Sequence, residues 1–365
     1  MERVKEIRNY LHTIPEPSSN EVKTSAYLAG ELKKAGFEVT TNVGGHGVVG
    51  LLKGTDSGPV VAVRGDMDAL THAIGGKTVC VHSCGHDANC AMVLAAVEEV
   101  AKTGIKRGTL KVIFQPAEEN LMGAKGVIEA GAGKDIDYMF GIHLRPKQEA
   151  VLGQATPALY HGASGHLLAT IHGTTAHGAR PHLGVNAIDA AALVVGAING
   201  IWEDPADTWS AKVTKFISNG IINNAIPDGV DMAVDMRGRT TERLNSIIDK
   251  VKNMIAIAPT AIGATGEVTF CDWVPGAAYD DEAVGILSDG IVAVMGQSAL
   301  VPKIASSGAD DFHYYKYNKP AIKAAFVGLG ADLTPGLHNP EMSFNDDALP
   351  SGAGIIKFGI NKLLN

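Results

Sequence analysis

No apolar run in the 365-residue sequence approaches the roughly 18 to 20 residues that span a bilayer, so a helical membrane protein is not expected. Basic charge is also short. Lys and Arg number 31 against 39 Asp and Glu, for a net charge of -8. The pI is near 5.9. With no polybasic arm, this balance argues against nucleic acid as a partner. Cysteine is scarce: Cys80, Cys84, Cys90 and Cys271 are all there is. Three of them crowd into one short stretch, which is poor spacing for a disulfide framework and fits a reduced, cytoplasmic setting. The opening Met1-Glu-Arg-Val-Lys-Glu runs straight into an amphipathic helix without an apolar signal core, so export is not expected. The chain lacks a Gly-x-Ser-x-Gly elbow, which disfavours a serine hydrolase. It lacks His-Glu-x-x-His, which excludes that class of zinc protease. Internal repeats, heptads and low-complexity stretches are absent too.

What remains is a well-packed globular composition. Apolar residues make up 45% of the chain, and mean hydropathy is +0.09. A chain this long exceeds one ordinary core, so two domains are expected. Val81 to Glu119 forms the centre. It holds Ser83-Cys84-Gly-His86-Asp87, a helix, and a strand leading into Gln115-Pro-Ala-Glu118-Glu119. Thiolate, imidazole and carboxylate together are the ligand set of a borderline-soft divalent ion such as zinc. Two adjacent glutamates suit a division of labour, one holding metal and the other moving protons.

The chain in order supports this centre. Residues 1–12 and 20–35 read as helices, and strands follow at 37–41, 48–53 and 60–64. The last strand is continuously apolar, as in a sheet covered on both faces. It ends in Asp66-Met-Asp68, at the strand edge where α/β proteins build sites. A helix over 88–102, a strand over 110–114 and a strand over 138–142 that delivers His143 come next. Asp66 and Asp68, Glu118 and Glu119, and His143 thus fall at successive strand ends, with Cys84 and His86 between them. Texture then changes. Residues 164–272 read as strand, helix, strand, strand, helix, strand, a βαββαβ ferredoxin-like unit. From Trp273 the α/β texture resumes, with a helix near 283–295, a strand at 321–327, His338 in Gly336-Leu-His338-Asn-Pro, and a last helix at 348–364. The expected fold is therefore α/β: residues 1–163 and 273–365 form a mixed-sheet catalytic domain with helices on both faces, and 164–272 is an inserted domain.

These residues resemble the co-catalytic metallopeptidase family of N-acyl-amino-acid amidohydrolases, which includes hippurate hydrolases, plant auxin-conjugate hydrolases and related carboxypeptidases. The resemblance runs nearly end to end, through Leu11-His-Thr-Ile-Pro15-Glu16, Arg64-Gly-Asp-Met-Asp68-Ala-Leu70, Ser83-Cys84-Gly-His86-Asp87, Gln115-Pro-Ala-Glu118-Glu119 and Gly141-Ile-His143. It continues through Ala176-His177-Gly-Ala-Arg-Pro-His182, Asn224-Ala-Ile-Pro227-Asp, Asp310-Asp311-Phe312 and Leu337-His338. It implies a zinc-peptidase-like catalytic domain and two divalent metals (zinc, manganese, cobalt or nickel) held by Cys84, His86, Glu119, His143 and His338, with Cys84 at the bridging place. It implies Glu118 as general base, His177 reaching a neighbouring subunit's site, and Asn224 and Arg237 binding substrate, the arginine through a carboxylate. The inserted domain becomes a dimerisation and lid domain, and the assembly a homodimer or dimer of dimers.

Asp66, Asp68 and Asp87 are read as carboxylates supporting the ligands from behind. The expected reaction is metal-assisted hydrolysis of the amide in an N-acyl amino acid. The rivals are a dipeptidase or carboxypeptidase with the same centre, and an inactive binding protein on the scaffold. Three departures bear on substrate: the short segment from Leu70 to Cys84, Asn89 in place of a frequent His, and Arg145 in place of an aromatic residue. Cys80, Cys90, His12, His46, His72, His161, His166, His172 and His313 are read as structural or surface residues, with His72 at the pocket mouth.

Overall fold

The Asp56–Asp66 strand lies at the middle of a seven-stranded sheet in the computed structural model, which describes residues 2–365. Its six C-terminal residues are all buried, as expected for an apolar strand with layers on both faces. Sheet order among the described residues is Glu38–Val43, Gly47–Lys53, Arg107–Gln115, Asp56–Asp66, Tyr138–Pro146, Lys323–Leu333 and Ala155–Thr156. The four strands from Arg107–Gln115 to Lys323–Leu333 are mutually parallel, while antiparallel strands flank them on both sides. The sheet is mixed, as the sequence predicts.

Two structural units divide the chain. One runs up to Tyr160 and includes Ala278–Ser306 and Asp310–Asn365; the other is His161–Ala277 with Ser307–Ala309. In the first, the His86–Thr103 helix is apolar nearly all round and buried, the pattern of a core helix rather than a surface one. It packs between the Glu2–His12 and Leu349–Leu364 helices within one continuous core. Gly352 permits the close approach: a Cβ there would fall 2.2 Å from Met92 Sδ.

The second unit is a four-stranded antiparallel sheet in the order Trp209–Ser218, Gly229–Gly238, Ala163–His172, Thr265–Val274. Helices Ala187–Asn199 and Thr241–Ile257 close its core. Each starts with a side-chain cap, Asn186 accepting from the Ile188 amide and Thr240 from the Arg243 amide. Strand and helix order give the βαββαβ arrangement. A short ribbon pairs Ala176–His177 with Ala225–Ile226.

Two local features differ from the sequence expectation. Leu70–Ile74 and Lys77–Val81 form a hairpin inside the segment between Leu70 and Cys84. Gly75 and Gly76, both at positive φ, supply the two-residue turn that hairpin strands favour. Second, the Tyr138–Pro146 strand continues past His143, because Gly328 to Gly330 go on pairing with residues 143–145. On its other side, pairing with Asp56–Asp66 ends at Arg64 and Gly141. Asp66 and His143 both lie just beyond that last pair, where the strands part and a sheet opens to a ligand.

Candidate metal centre

Three loops at the carboxyl ends of the parallel strands carry candidate ligands, and His143 adds another from within the Tyr138–Pro146 strand. Gly85 takes φ 86, which a glycine reaches without steric cost, and so turns the Ser83-Cys84 loop into the helix that begins at His86. The Arg107–Gln115 strand delivers Glu118 and Glu119 through Pro116 and Ala117. Ala117 sits at φ 56, a left-handed conformation that costs a side-chain-bearing residue about 1–2 kcal/mol. The Glu118 and Glu119 amides then donate to the two oxygens of Asp68, at 3.1 and 3.0 Å. His338, itself at φ 64, is fixed by its amide donating to the Ser83 carbonyl at 2.8 Å.

The donor atoms converge. Ligand atoms of Cys84, His86 and His143 lie within 4.8 Å of one another, as do those of Cys84, Glu119 and His338, and those of His86, Glu118 and Glu119. Cys84 belongs to two of these groups. Cys84 Sγ is 3.5 Å from His143 Nε2, and His338 Nε2 is 3.3 Å from Glu119 Oε2. The imidazole tautomers follow from their other nitrogens. His86 Nδ1 lies 2.9 Å from the Asp68 carbonyl oxygen and His143 Nδ1 lies 2.7 Å from that of Leu144. A carbonyl only accepts, so both Nδ1 atoms carry a proton, and Nε2 is the atom that each ring in its neutral form offers to a metal.

Electrostatics say what this cluster wants. Burial, then Glu119, pushes the Cys84 thiol well above its usual range. Burial, then Asp310, Glu119 and Asp311, pushes Glu118 up as well. Burial lowers His143 to about 4. His338, hydrogen-bonded to Glu119, is raised. His86 Nε2 and Glu119 Oε1 are buried without a hydrogen-bond partner among the described residues. Thiol, imidazole lone pairs and carboxylate converging with orphaned buried donors fit divalent cations, which would supply the missing positive charge.

Supporting carboxylates divide their tasks. Although burial opposes ionisation, bonds from His86, Ser18 and the Glu119 amide hold Asp68 at about 2. Asp66 takes Arg64 Nη1 at 3.0 Å and Asn89 Nδ2 at 2.9 Å, and its Oδ2 is 3.4 Å from His86 Nε2. Asn89, one of the sequence departures, thus braces this aspartate. Asp87 turns elsewhere: its carboxylate meets His12 Nδ1 at 2.7 Å and Arg8 Nε at 3.2 Å, tying the ligand loop to the Glu2–His12 helix rather than to a ligand imidazole. His72 reaches the ligand loop instead, with Nε2 2.8 Å from Ser83 Oγ.

Several supporting residues escaped the sequence reading. Arg64, almost wholly buried, bonds Asp66, Asp311 and Gln115 and lies 3.2 Å from Asp310. Asp311 also accepts from Gln115 Nε2 and the Ala124 amide, so this network underlies the Glu118 loop. His82, next to the ligand loop, is buried with neither ring nitrogen partnered among the described residues. The signal for Arg64 and Asp311 was present in the motifs, but their pairing spans 247 residues.

The remaining expected site residues belong to the second unit. His177, on the short ribbon, and Asn224, just before its second strand, are both exposed, and the Gly178 amide donates to the Asn224 carbonyl at 2.7 Å. His177 Nδ1 accepts from the Ala179 amide at 3.0 Å. Arg237 is half-exposed, with its Nε and Nη2 donating to both oxygens of Asp235 at 3.0 and 2.8 Å.

Comparison with known proteins is consistent over the whole chain. The model of Peptidase family M20/M25/M40 matches residues 62–360. A probable hydrolase of Synechocystis is 31% identical over 371 residues, covering 98% of this chain and 94% of that protein. Thermostable carboxypeptidase 2 of Saccharolobus solfataricus is 31% identical, covering 95% and 92%. IAA-amino acid hydrolase ILR1-like 4 of Arabidopsis thaliana is 29% identical, covering 96% and 83%. Among solved structures, a putative aminohydrolase from methicillin-resistant Staphylococcus aureus superposes with a TM-score of 0.88 at 26% identity, covering 100% of this chain and 97% of that one.

Proposed function

The chain belongs to Peptidase family M20/M25/M40, and from that premise we propose that it hydrolyses the amide bond of N-acyl amino acids, releasing a carboxylic acid and a free amino acid. It is a metallohydrolase of that family. The observation that carries the finer reading is the pair of donor groups sharing Cys84 beside a buried Glu118 whose proton affinity is raised. Cys84, His86 and His143 would hold one ion, and Cys84, Glu119 and His338 a second. When bound, the ions supply Lewis acidity, polarising a carbonyl and acidifying water.

The protein's own groups do the rest. Glu118 accepts the proton of the attacking water and returns it to the leaving amine. Asp68 holds the amides of Glu118 and Glu119, so that both carboxylates keep their aim. Asp66, pinned by Arg64 and Asn89, steadies the His86 edge of the site. His177 donates to the developing oxyanion of a neighbouring subunit's substrate, a role supported by its exposed position beside Asn224. Arg237 exchanges Asp235 for the substrate's α-carboxylate in a bidentate pair. The second unit serves as the dimerisation unit.

A second reading, a carboxypeptidase or dipeptidase using the same centre, draws support from the carboxypeptidase relative. N-acetyl, N-benzoyl and longer N-acyl amino acids are to be assayed beside dipeptides, after loading with zinc, manganese, cobalt or nickel in turn. Preference for acyl amino acids in kcat/KM supports the proposal. Preference for dipeptides replaces it with the second reading.

A further inference from the structure

The strap from Pro15 to Glu21 lies under the metal-site loops, and its carboxylates are used in an unexpected order. Glu21 occupies the N-cap position of the Val22–Lys34 helix, yet its side chain makes no capping bond. Glu16 caps that helix instead, accepting from the Lys23 amide at 2.9 Å, the Thr24 amide at 3.0 Å and the Thr24 hydroxyl at 3.1 Å. Those bonds satisfy the free amides of the helix start and leave Glu21 available elsewhere.

Glu21 is fully buried. One oxygen accepts the Ser19 amide and, from across the sequence, the Ala117 amide, each at 2.8 Å. Its other oxygen is buried without a partner among the described residues. Ala117 is the residue at positive φ immediately before Glu118. Three successive amides, 117 to 119, therefore end on carboxylates, the first on Glu21 and the next two on Asp68. The strap also reaches the second of these, since Ser18 Oγ donates to Asp68 Oδ2 at 2.6 Å. Further along, the Ala69 amide donates to the Glu16 carbonyl at 2.8 Å. A buried carboxylate with an unused oxygen is costly in a protein interior. What it secures here is the backbone that aims Glu118.

We propose that Glu21 is a positioning residue for the hydrolytic reaction, holding Ala117 in its left-handed conformation so that Glu118 faces the metal-ligand cluster. This rests on the role given to Glu118 above.

The test uses the full-length protein with Glu21→Ala, Glu21→Gln, and Glu21→Ala combined with Ala117→Gly. Hydrogen exchange of the segment 116–123 is read by mass spectrometry beside metal content, kcat and KM. Glu21→Ala should speed exchange of that segment about tenfold or more, because the Ala117 amide loses its acceptor. It should lower kcat about tenfold to a hundredfold, as small misplacements of a catalytic group do, with KM and metal content near wild type. Glu21→Gln keeps the accepting oxygen and should retain most of kcat. Adding Ala117→Gly should recover part of it, because glycine takes positive φ freely.

If Glu21→Ala fails to fold, Ala117→Val with Glu21 intact should give the same exchange and kcat losses. Unchanged exchange at 116–123, an unchanged kcat in metal-loaded Glu21→Ala, or equal kcat losses in the Ala and Gln variants would each overturn the proposal. The exchange measurement needs no substrate. If the wild type cleaves neither acyl amino acids nor dipeptides, the functional reading fails, and exchange alone still decides what Glu21 holds.

Discussion

Glu118 and Glu119 are neighbours in sequence with different surroundings, and that difference should appear on mutation. Glu118 is buried among Asp310, Asp311 and Glu119, which raise its proton affinity, whereas Glu119 sits against His338. Glu118→Gln should keep the bound metal and lose about a hundredfold to ten-thousandfold in turnover, the usual worth of a proton-transfer group. Glu119→Gln should lower metal content instead. Elemental analysis of both variants beside kcat checks the division, and equal metal contents would refute it.

A second residue-scale prediction concerns His313. Burial lowers its pKa to about 4, against about 6.5 when unfolded. A depressed folded-state pKa means that unfolding takes up a proton between those values. Its contribution is therefore complete above about pH 6.5 and declines toward pH 4, by roughly 1.4 kcal/mol per pH unit within the window. Asp311, raised to about 7 mainly by burial, works in the opposite sense, so the comparison must be with a variant. Thermal unfolding of His313→Gln at pH 7 and pH 5 should show a smaller acid loss than wild type. An equal loss would contradict this.

At the scale of elements, much was legible because burial imposes periodicity. The continuous apolar run before Asp66 announced a central strand, and the strand and helix order over residues 164–272 announced the βαββαβ unit. Where neighbours decide, the sequence was silent. His143 lies inside its strand because Lys323–Leu333, far along the chain, continues the ladder. The hairpin at Leu70–Val81 was missed although Gly75-Gly76 marks its turn. Cys84, His86 and the glutamates stood out as ligand chemistry, but Glu21, Arg64 and Asp311 act through contacts to distant residues. Their partners could not be read from spacing.

Two glycines test how the elements seat the Glu118 loop. A Cβ on Gly123 would fall 1.7 Å from the Pro116 carbonyl oxygen, so Gly123→Ala must displace the segment leading to Glu118. It should cost about 1–3 kcal/mol, as overpacking does, and lower activity together with stability. Gly30 lies in the Val22–Lys34 helix with open space around it. Gly30→Ala should therefore stabilise, by about 0.5–1 kcal/mol from helix propensity. Denaturant unfolding of both variants should show opposite signs, and a loss of stability in Gly30→Ala would sink the reasoning.

For the whole molecule, the expectation is a site completed between two copies. The second unit offers exposed His177 on a short ribbon with Asn224 just before its second strand, and the first holds the metal-ligand cluster. If His177 serves a neighbouring subunit, homodimers of His177→Ala and of Glu118→Ala should both be inactive. Mixing them should restore activity as subunits exchange, because one site in each heterodimer keeps both residues at a two-fold interface. A mixture that stays inactive after exchange is confirmed would remove His177 from the neighbour's site. Underneath this lies the claim that metal ions held by Cys84, His86, Glu119, His143 and His338 make the hydrolase. Elemental analysis of the purified wild type, repeated after chelation and reloading and paired with amide hydrolysis at each stage, tests it most directly. Metal content should approach a pair of ions per chain, and activity should vanish and return with them; full activity in a metal-free preparation would contradict it.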